Sequence, residues 1–221
     1  MPRRALRKVD PSLDLSRWLR TFEKLPQPWN AEVLFNRTAP LEVEVGSGKG
    51  LFIASASAAR PDHNFLGIEI AHKYAKHAAA KLARQGRTNA VMVHGDGLRI
   101  FRELLPDSSL AAVHVYFPDP WWKARHKKRR VMNEAFLRDV ERVLQPGGVL
   151  HFWTDVEEYF QTTLELIRAA THLAGPFEAP EQAPQHDLDY RTHFERRMRL
   201  NGEPVYRAEF RRMALPLGIY G

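Results

Sequence analysis

Leu41-Glu42-Val43-Glu44-Val45-Gly46-Ser47-Gly48-Lys49-Gly50 joins a short, mostly apolar strand to a turn with glycine at every second position. Alternating glycines directly after a strand allow a ligand to approach the backbone closely. The dinucleotide pattern G-x-G-x-x-G fails at its last glycine, because Leu51 follows Gly50. The stretch therefore predicts the first unit of an α/β sheet and does not require a bound pyrophosphate.

Strand-like and helix-like segments alternate on both sides of this turn. Apolar runs predict strands at 41–45, 65–70, 90–94, 110–117 and 149–153. Helical patterns occupy 51–59, 72–84, 133–144 and 156–170. This alternation predicts right-handed crossovers and a mostly parallel sheet that is covered on both faces. Prolines, glycines and acids at 174–189 predict a surface loop.

Length and charge narrow the class of protein. The 221 residues fit a single domain, so we expect one domain over 1–221 with a basic N-terminal arm at about 1–30. The net charge of +7 favours a polyanionic partner. There is no cysteine, which excludes disulfides, thiolate zinc sites and cysteine nucleophiles. No apolar run approaches about 18 residues, so no membrane association is expected and a cytoplasmic protein is the default.

Acidic residues recur at the ends of the predicted strands: Glu44, Glu69, Asp96, Asp119 and Asp155. One such acid is usually only a cap for the next helix, but the recurrence favours a binding site at the carboxyl edge of the sheet. Glu69 is placed to accept hydrogen bonds from two ribose hydroxyls, and Asp96 could accept one from an adenine amino group. A negatively lined nucleoside pocket suits the cationic cofactor S-adenosylmethionine better than NAD.

A second unusual stretch, residues 116–130, begins Tyr-Phe-Pro-Asp-Pro-Trp-Trp-Lys and continues into a cationic block. The two prolines restrict the backbone around Asp119, and a stiffly held carboxylate is suited to chemistry. Tryptophan faces can stack on a base, and the cations can bind phosphates. An ordinary turn followed by a solvated basic surface is the alternative interpretation.

Together these motifs resemble the bacterial tRNA (guanine-N7)-methyltransferase family, within the class I S-adenosylmethionine-dependent methyltransferases. The resemblance rests on residues 43–50, 67–69, 95–97, 117–121, 153–155 and 190–195. It implies a Rossmann-like α/β fold, with a mostly parallel sheet, helices on both faces and a C-terminal antiparallel strand pair. It also implies S-adenosylmethionine as cofactor and tRNA as partner, with methyl transfer to N7 of a guanine in the variable loop.

The family's functional positions map onto single residues of this chain. The implied cofactor-binding residues are Glu44, Gly46, Gly48, Glu69, Asp96 and Asp119, and Asp119 is also the implied catalytic residue. The implied substrate-binding residues are Lys123, Asp155, Thr192 and Glu195. The implied RNA-contacting residues are Arg125, His126, Lys127, Lys128, Arg129 and Arg130. Trp122 departs from the family, which more often has proline there, so the path of the loop to Lys123 is open.

Other functions fit parts of the sequence. A different S-adenosylmethionine-dependent RNA methyltransferase and a non-catalytic RNA-binding module remain alternatives, and a nucleotide-binding oxidoreductase is disfavoured by the glycine spacing. No metal is expected, because N7 of guanine already carries a free lone pair and the histidines show no ligand spacing. The sequence does not decide between a monomer and a homodimer.

Overall fold

The computed structural model of the protein describes residues 6, 8–121, 125, 129–179 and 192–214. Within these ranges one eight-stranded sheet is formed by β1 (Leu19–Thr21), β2 (Leu41–Val45), β3 (Asn64–Glu69), β4 (Ala90–His94), β5 (Leu110–Tyr116), β6 (Leu144–Thr154), β7 (Ala174–Phe177) and β8 (Tyr206–Arg211). The α-helices are α1 (Ala31–Phe35), α2 (Leu51–Ala59), α3 (His72–Arg84), α4 (Gly97–Glu103), α5 (Glu134–Val143), α6 (Glu157–Ala170) and α7 (His193–Leu200).

The strand order is β1-β4-β3-β2-β5-β6-β8-β7. Every pairing from β1 to β6 is parallel, whereas β8 runs antiparallel to both β6 and β7. The expected mostly parallel sheet with a C-terminal antiparallel pair is confirmed. The order changes direction between β2 and β5, and such a switch point opens a crevice at the carboxyl ends of the strands.

Apolar side chains cover both faces of the sheet. On one face α4, α5 and α6 contribute to a cluster that contains Phe101, Phe136 and Ile167. On the other face α2 and α3 contribute to a cluster that contains Phe52 and Leu82. The helical segments between the parallel strands are thus held by burial on opposite sides, as the alternating pattern predicts.

Most predicted elements lie within one or two residues of their predicted bounds, but the prediction of a loop at 174–189 is wrong in its first part. Residues 174–177 form β7, which pairs with the distant β8 through Phe177 and Glu209. A partner more than 30 positions away leaves no trace in local composition. Residues 180–191 lie outside the described ranges.

The N-terminal segment also contributes to the sheet. Strand β1 lies within residues 1–30 and pairs in parallel with β4 at the sheet edge. The indole N–H of Trp18 donates to the carbonyl of Arg87 at 2.6 Å, which ties this segment to the core. In the part of the chain that the structure describes, no helix is both long and apolar enough to cross a membrane.

Candidate active site

A cavity of about 580 Å³ opens at the carboxyl ends of the strands beside the switch point. Its size is that of a typical small-molecule site. The glycine turn after β2, the end of β3, the turn after β5 and the helix α7 contribute to its wall. The wall residues are Glu44, Gly46, Ser47, Gly48, Lys49, Leu51, Phe52, Glu69, Ile70, Ala71, Tyr74, Tyr116, Phe117, Asp119, Thr192, Phe194 and Arg197.

The three glycines of the turn have different roles. Gly46 and Gly48 have φ of +84° and +52°, and a Cβ atom on either would meet nothing within 4 Å. A ligand can therefore approach the backbone at both positions. Gly50 is also left-handed, but a Cβ there would lie 2.6 Å from the Cβ of Ala78. Gly50 thus lets α2 pack closely on α3.

Glu69 is buried at the end of β3 and is held by backbone donors. Its Oε2 accepts a hydrogen bond from the N–H of Gly48, and its Oε1 accepts one from the N–H of Ala71, both at 2.8 Å. These bonds orient the carboxylate in the cavity wall. Each oxygen keeps a further lone pair, so the carboxylate can still accept hydrogen bonds from two ligand hydroxyls.

Glu44 is 2% exposed, and its Oε2 has no hydrogen-bond partner. Burial raises the pKa of Glu44 to about 8. A hydrogen bond with Ser47 works in the opposite direction, and the charge of Glu69 adds to the rise. The carboxyl is therefore mostly protonated at neutral pH. A buried polar atom without a partner at the edge of a cavity is a place where a ligand donor would bind.

The turn after β5 holds Asp119 in a constrained backbone. Phe117 and Trp121 flank the Pro-Asp-Pro sequence with φ of 50° and 43°, a region that side chains with a Cβ rarely adopt. The N–H of Phe117 donates to the carbonyl of Trp153 at 2.8 Å, and the Nε of Arg130 donates to the carbonyl of Pro120 at 2.7 Å. Asp119 is thus an exposed carboxylate on a turn that is anchored at both ends.

Helix α7 brings distant residues to the same cavity. Thr192 is its N-cap, and the hydroxyl accepts a hydrogen bond from the N–H of Glu195 at 3.0 Å. The ring of Phe194 lies 4.9 Å from that of Phe117, and the guanidinium of Arg197 lies 4.5 Å from the centre of the Phe194 ring. Sequence reasoning selected Thr192 but missed Phe194 and Arg197. Their spacing of three along a helix would have placed them on one face.

The structure places several predicted residues outside the cavity wall. Asp96 is exposed and caps α4, where its Oδ1 accepts a hydrogen bond from Leu98 N–H at 2.9 Å. Asp155 follows β6 and is half-buried. Glu195 is 2% exposed, and its Oε1 lies 3.5 Å from Arg199 and 3.6 Å from a nitrogen of Arg207. Three of the five acids at strand ends thus meet at the cavity, and the ligand contacts of Asp96, Asp155 and Glu195 stay predictions.

The cationic block is only partly described. Arg125 and Arg129 are exposed, and the guanidinium of Arg129 lies 5.3 Å from the centre of the Trp121 ring. Arg130 is half-buried, since it folds back onto Pro120 and lies 4.8 Å from the centre of the Tyr159 ring. The predicted contacts of Lys123, His126, Lys127 and Lys128, and the departure at Trp122, lie outside the described residues. Among the described residues, no three potential metal ligands cluster.

Two solved structures with a similar fold are described as methyltransferases. The antibiotic-resistance methyltransferase Kmr matches with a TM-score of 0.57 at 19% identity, covering 84% of this chain and 92% of its own. The aminoglycoside resistance methyltransferase NpmB1 matches with a TM-score of 0.54 at 19% identity, covering 82% and 91%. The family model described as "Putative methyltransferase" matches residues 38–208. The fold and the glycine-turn cavity define a class I, Rossmann-like methyltransferase.

Sequence relatives define the family more closely. The tRNA (guanine-N(7)-)-methyltransferase of Rhodopirellula baltica is 53% identical over 218 residues, which cover 96% of this chain and 80% of the relative. The enzyme of the same name from Alcanivorax borkumensis is 38% identical, over 84% of this chain and 77% of the relative. The chain belongs to the tRNA (guanine-N7-)-methyltransferase family.

Proposed function

We propose that this enzyme transfers the methyl group of S-adenosylmethionine to N7 of a guanine in the variable loop of tRNA. The observation that carries the proposal is the meeting of Glu44, Glu69 and Asp119 on one cavity beside the glycine turn. The names of the relatives support tRNA as the substrate and N7 of guanine as the methylated atom.

The cavity fits the proposed cofactor. The oriented carboxylate of Glu69 would accept the two ribose hydroxyls, and the open space over Gly46 and Gly48 would admit the ligand close to the backbone. The buried Oε2 of Glu44, which has no hydrogen-bond partner in the protein, would form a hydrogen bond with the ligand. When bound, S-adenosylmethionine supplies a methyl group on a positively charged sulfur.

The chain's own residues act mainly by positioning and by electrostatics. N7 of guanine has a lone pair, so no side chain has to remove a proton before methyl transfer. Catalysis then depends on holding nucleophile and methyl about 3–3.5 Å apart and in line. The purine ring becomes positively charged as N7 is methylated. Asp119, fixed at the cavity by its two prolines, would stabilise that charge.

Residues around the cavity mouth would hold the tRNA. Phe117 and Phe194 form an aromatic pair beside Asp119, and an aromatic face is suited to stacking on an unstacked base. Thr192, which is predicted to contact the substrate, lies in the cavity wall. The exposed Arg125 and Arg129 would bind phosphates. We propose the cytoplasm as the compartment, as for a tRNA-modifying enzyme.

Methyl transfer to an unmodified tRNA transcript tests the proposal. The purified enzyme would be incubated with methyl-labelled S-adenosylmethionine, and the methylated nucleotide would be mapped by mass spectrometry of nuclease fragments. We expect label at N7 of a variable-loop guanine, with none in a transcript whose guanine there is 7-deazaguanine. Asp119→Asn is the matched inactive control.

The same experiment separates the alternatives. A methyl group at another atom or position would indicate a different RNA methyltransferase. Tight binding of tRNA and cofactor without any transfer would indicate a non-catalytic RNA-binding module. Either result would contradict the proposal.

A further inference from the structure

A hydrogen-bonded chain of polar residues is buried beneath the cavity. His114 and Tyr116 lie two positions apart on β5, so both side chains point to the same face of the sheet. The Nδ1 of His114 lies 2.9 Å from the hydroxyl of Tyr116, and its Nε2 lies 2.7 Å from Oε2 of Glu42 on β2. His114 and Glu42 are 1% and 2% exposed. Buried polar groups that are so fully paired fix the orientation of their side chains.

Glu42 is fixed from its other side as well. Its Oε1 accepts hydrogen bonds from Arg60 and from Nδ1 of His63, the latter at 2.7 Å. Burial alone would raise the pKa of Glu42, but the hydrogen bond and charge of His114, with the charges of Arg60 and His63, lower it to about 2. Glu42 is therefore an anion at every pH of interest. Because it can only accept, the Nε2–H of His114 must donate to it.

The orientation of the histidine ring follows from this arrangement. With Nε2 protonated, Nδ1 accepts the hydroxyl proton of Tyr116 when the imidazole is neutral and donates to the hydroxyl when it is charged. The contact is a hydrogen bond in both states. The centre of the His114 ring lies 4.4 Å from that of Phe52, and the ring stacks on His151 at 4.6 Å. His151 is paired in turn with Glu209 at 3.1 Å.

The Tyr116 end of this hydrogen-bonded chain lies in the candidate active site. Tyr116 is in the cavity wall with Glu44, which is paired in register with His114 on the neighbouring strand. The ring of Tyr116 packs against Phe52 and Trp153, with ring centres 5.1 and 5.0 Å away. Tyr116 directly precedes Phe117, where the strained turn to Asp119 begins. A shift of the Tyr116 ring would therefore move both the cavity wall and the start of that turn.

We propose that Tyr116 is a positioning residue for methyl transfer, and that the buried chain from its hydroxyl through His114 to Glu42 sets its orientation. The proposal rests on the proposed function, because its effect is read in the transfer step. Tyr116→Phe removes the hydroxyl that is hydrogen-bonded to His114 and leaves the ring free to shift. We expect kcat to fall about tenfold, since small displacements of reacting groups cost rate, while the Kd for tRNA changes less than twofold.

A double-mutant cycle tests whether Tyr116 acts through the histidine. His114→Asn, Tyr116→Phe and the double variant would be compared in single-turnover transfer at saturating tRNA and cofactor. We expect each single variant to lower the rate and the double variant to be little worse than either, because one chain is broken in all three. Tyr206→Phe is the matched control, since it removes a tyrosine hydroxyl that donates to Glu157 at 3.2 Å and leaves the hydrogen-bonded chain intact. Its rate should equal that of the parent.

Circular dichroism and thermal unfolding would show that the variants are folded at the assay temperature. If His114→Asn fails to fold, Glu42→Gln replaces it in the cycle. This variant keeps the shape of the side chain and removes the charge that His114 binds. An active parent whose Tyr116→Phe rate stays within twofold, or a cycle with additive effects, overturns the proposal. A parent that methylates no tRNA overturns the proposed function, and with it this inference.

Discussion

Replacing Glu44 by glutamine should change how the stability of the enzyme depends on pH. The folded protein holds this carboxyl with a pKa of about 8, against an ordinary value of 4.5. Between these values the folded state keeps a proton that the unfolded chain releases. The resulting stabilisation is therefore complete below pH 4.5 and is lost as the pH rises through 8. Glutamine has the shape of the protonated acid and does not titrate.

The expected magnitude follows from the two pKa values. Each pH unit in the window changes the free energy of unfolding by about 1.4 kcal/mol, and the contribution falls by about 3.5 kcal/mol between pH 5 and pH 8. Because Glu44 is 2% exposed, solvent screening does not reduce this figure much. The unfolding free energy of the parent minus that of Glu44→Gln should therefore fall by about 3.5 kcal/mol between pH 5 and pH 8.

Urea unfolding at pH 5, 6, 7 and 8, at constant ionic strength and without cofactor, would measure the difference. Contributions from groups that the two proteins share cancel in this difference. Glu103→Gln is a suitable control: hydrogen bonds from Arg99 and Arg102 lower the pKa of this carboxyl, so it is ionised throughout the range. Its variant should shift stability by a constant amount. Parallel pH curves for the parent and Glu44→Gln, within about 0.5 kcal/mol, would refute the reasoning.

Four further predictions concern ligands and rate. Glu69→Ala should weaken S-adenosylmethionine binding in calorimetry, because hydrogen bonds to a charged group contribute about 1.5–3 kcal/mol each; unchanged affinity would remove Glu69 from the site. Asp119→Ala should lower the single-turnover rate far more than the tRNA affinity, and a rate within a few-fold of the parent would contradict its catalytic role. Alanine at both Arg125 and Arg129 should flatten the slope of log affinity for tRNA against log salt by up to about 2, with cofactor affinity unchanged. Equal slopes for this double variant and the parent would show that the exposed arginines are only solvated. Arg130→Ala, which loosens the Asp119 turn, should instead reduce the transfer rate and have little effect on the salt slope.

The sequence predicts β2 to β5 well because each of these strands is a short apolar run that is followed by its own helix. Local periodicity carries that information. The strands at the two edges were harder to predict. Strand β1 has three residues and β7 has four, and each is stabilised by pairing with a strand distant in sequence. Such pairing is a property of the folded chain and leaves little local pattern.

The candidate site likewise contains some residues that local sequence predicts and others that depend on contacts between distant segments. Glu44, Glu69 and Asp119 could be selected because each stands beside a recognisable turn, and the structure brings them to one cavity. Asp96 has an equally suggestive position, yet its side chain caps a helix. The contribution of Phe194 and Arg197 depends on how α7 docks against the β5 turn, and the buried chain below Tyr116 depends on the register of β2 against β5. Neither relation is local in sequence.

The order of strands at the edge of the sheet has a consequence for synthesis on the ribosome. Strand β7 is made before β8 but reaches the sheet only through it, because β8 lies between β6 and β7. Helix α7 lies between the two in the chain. A nascent chain can therefore assemble the parallel strands, the glycine turn and the Asp119 turn while the last cavity wall is still undocked. Addition of β8 would secure β7 and α7 together, so a partly made enzyme would hold the carboxylate of Asp119 without the wall that α7 adds to the cavity.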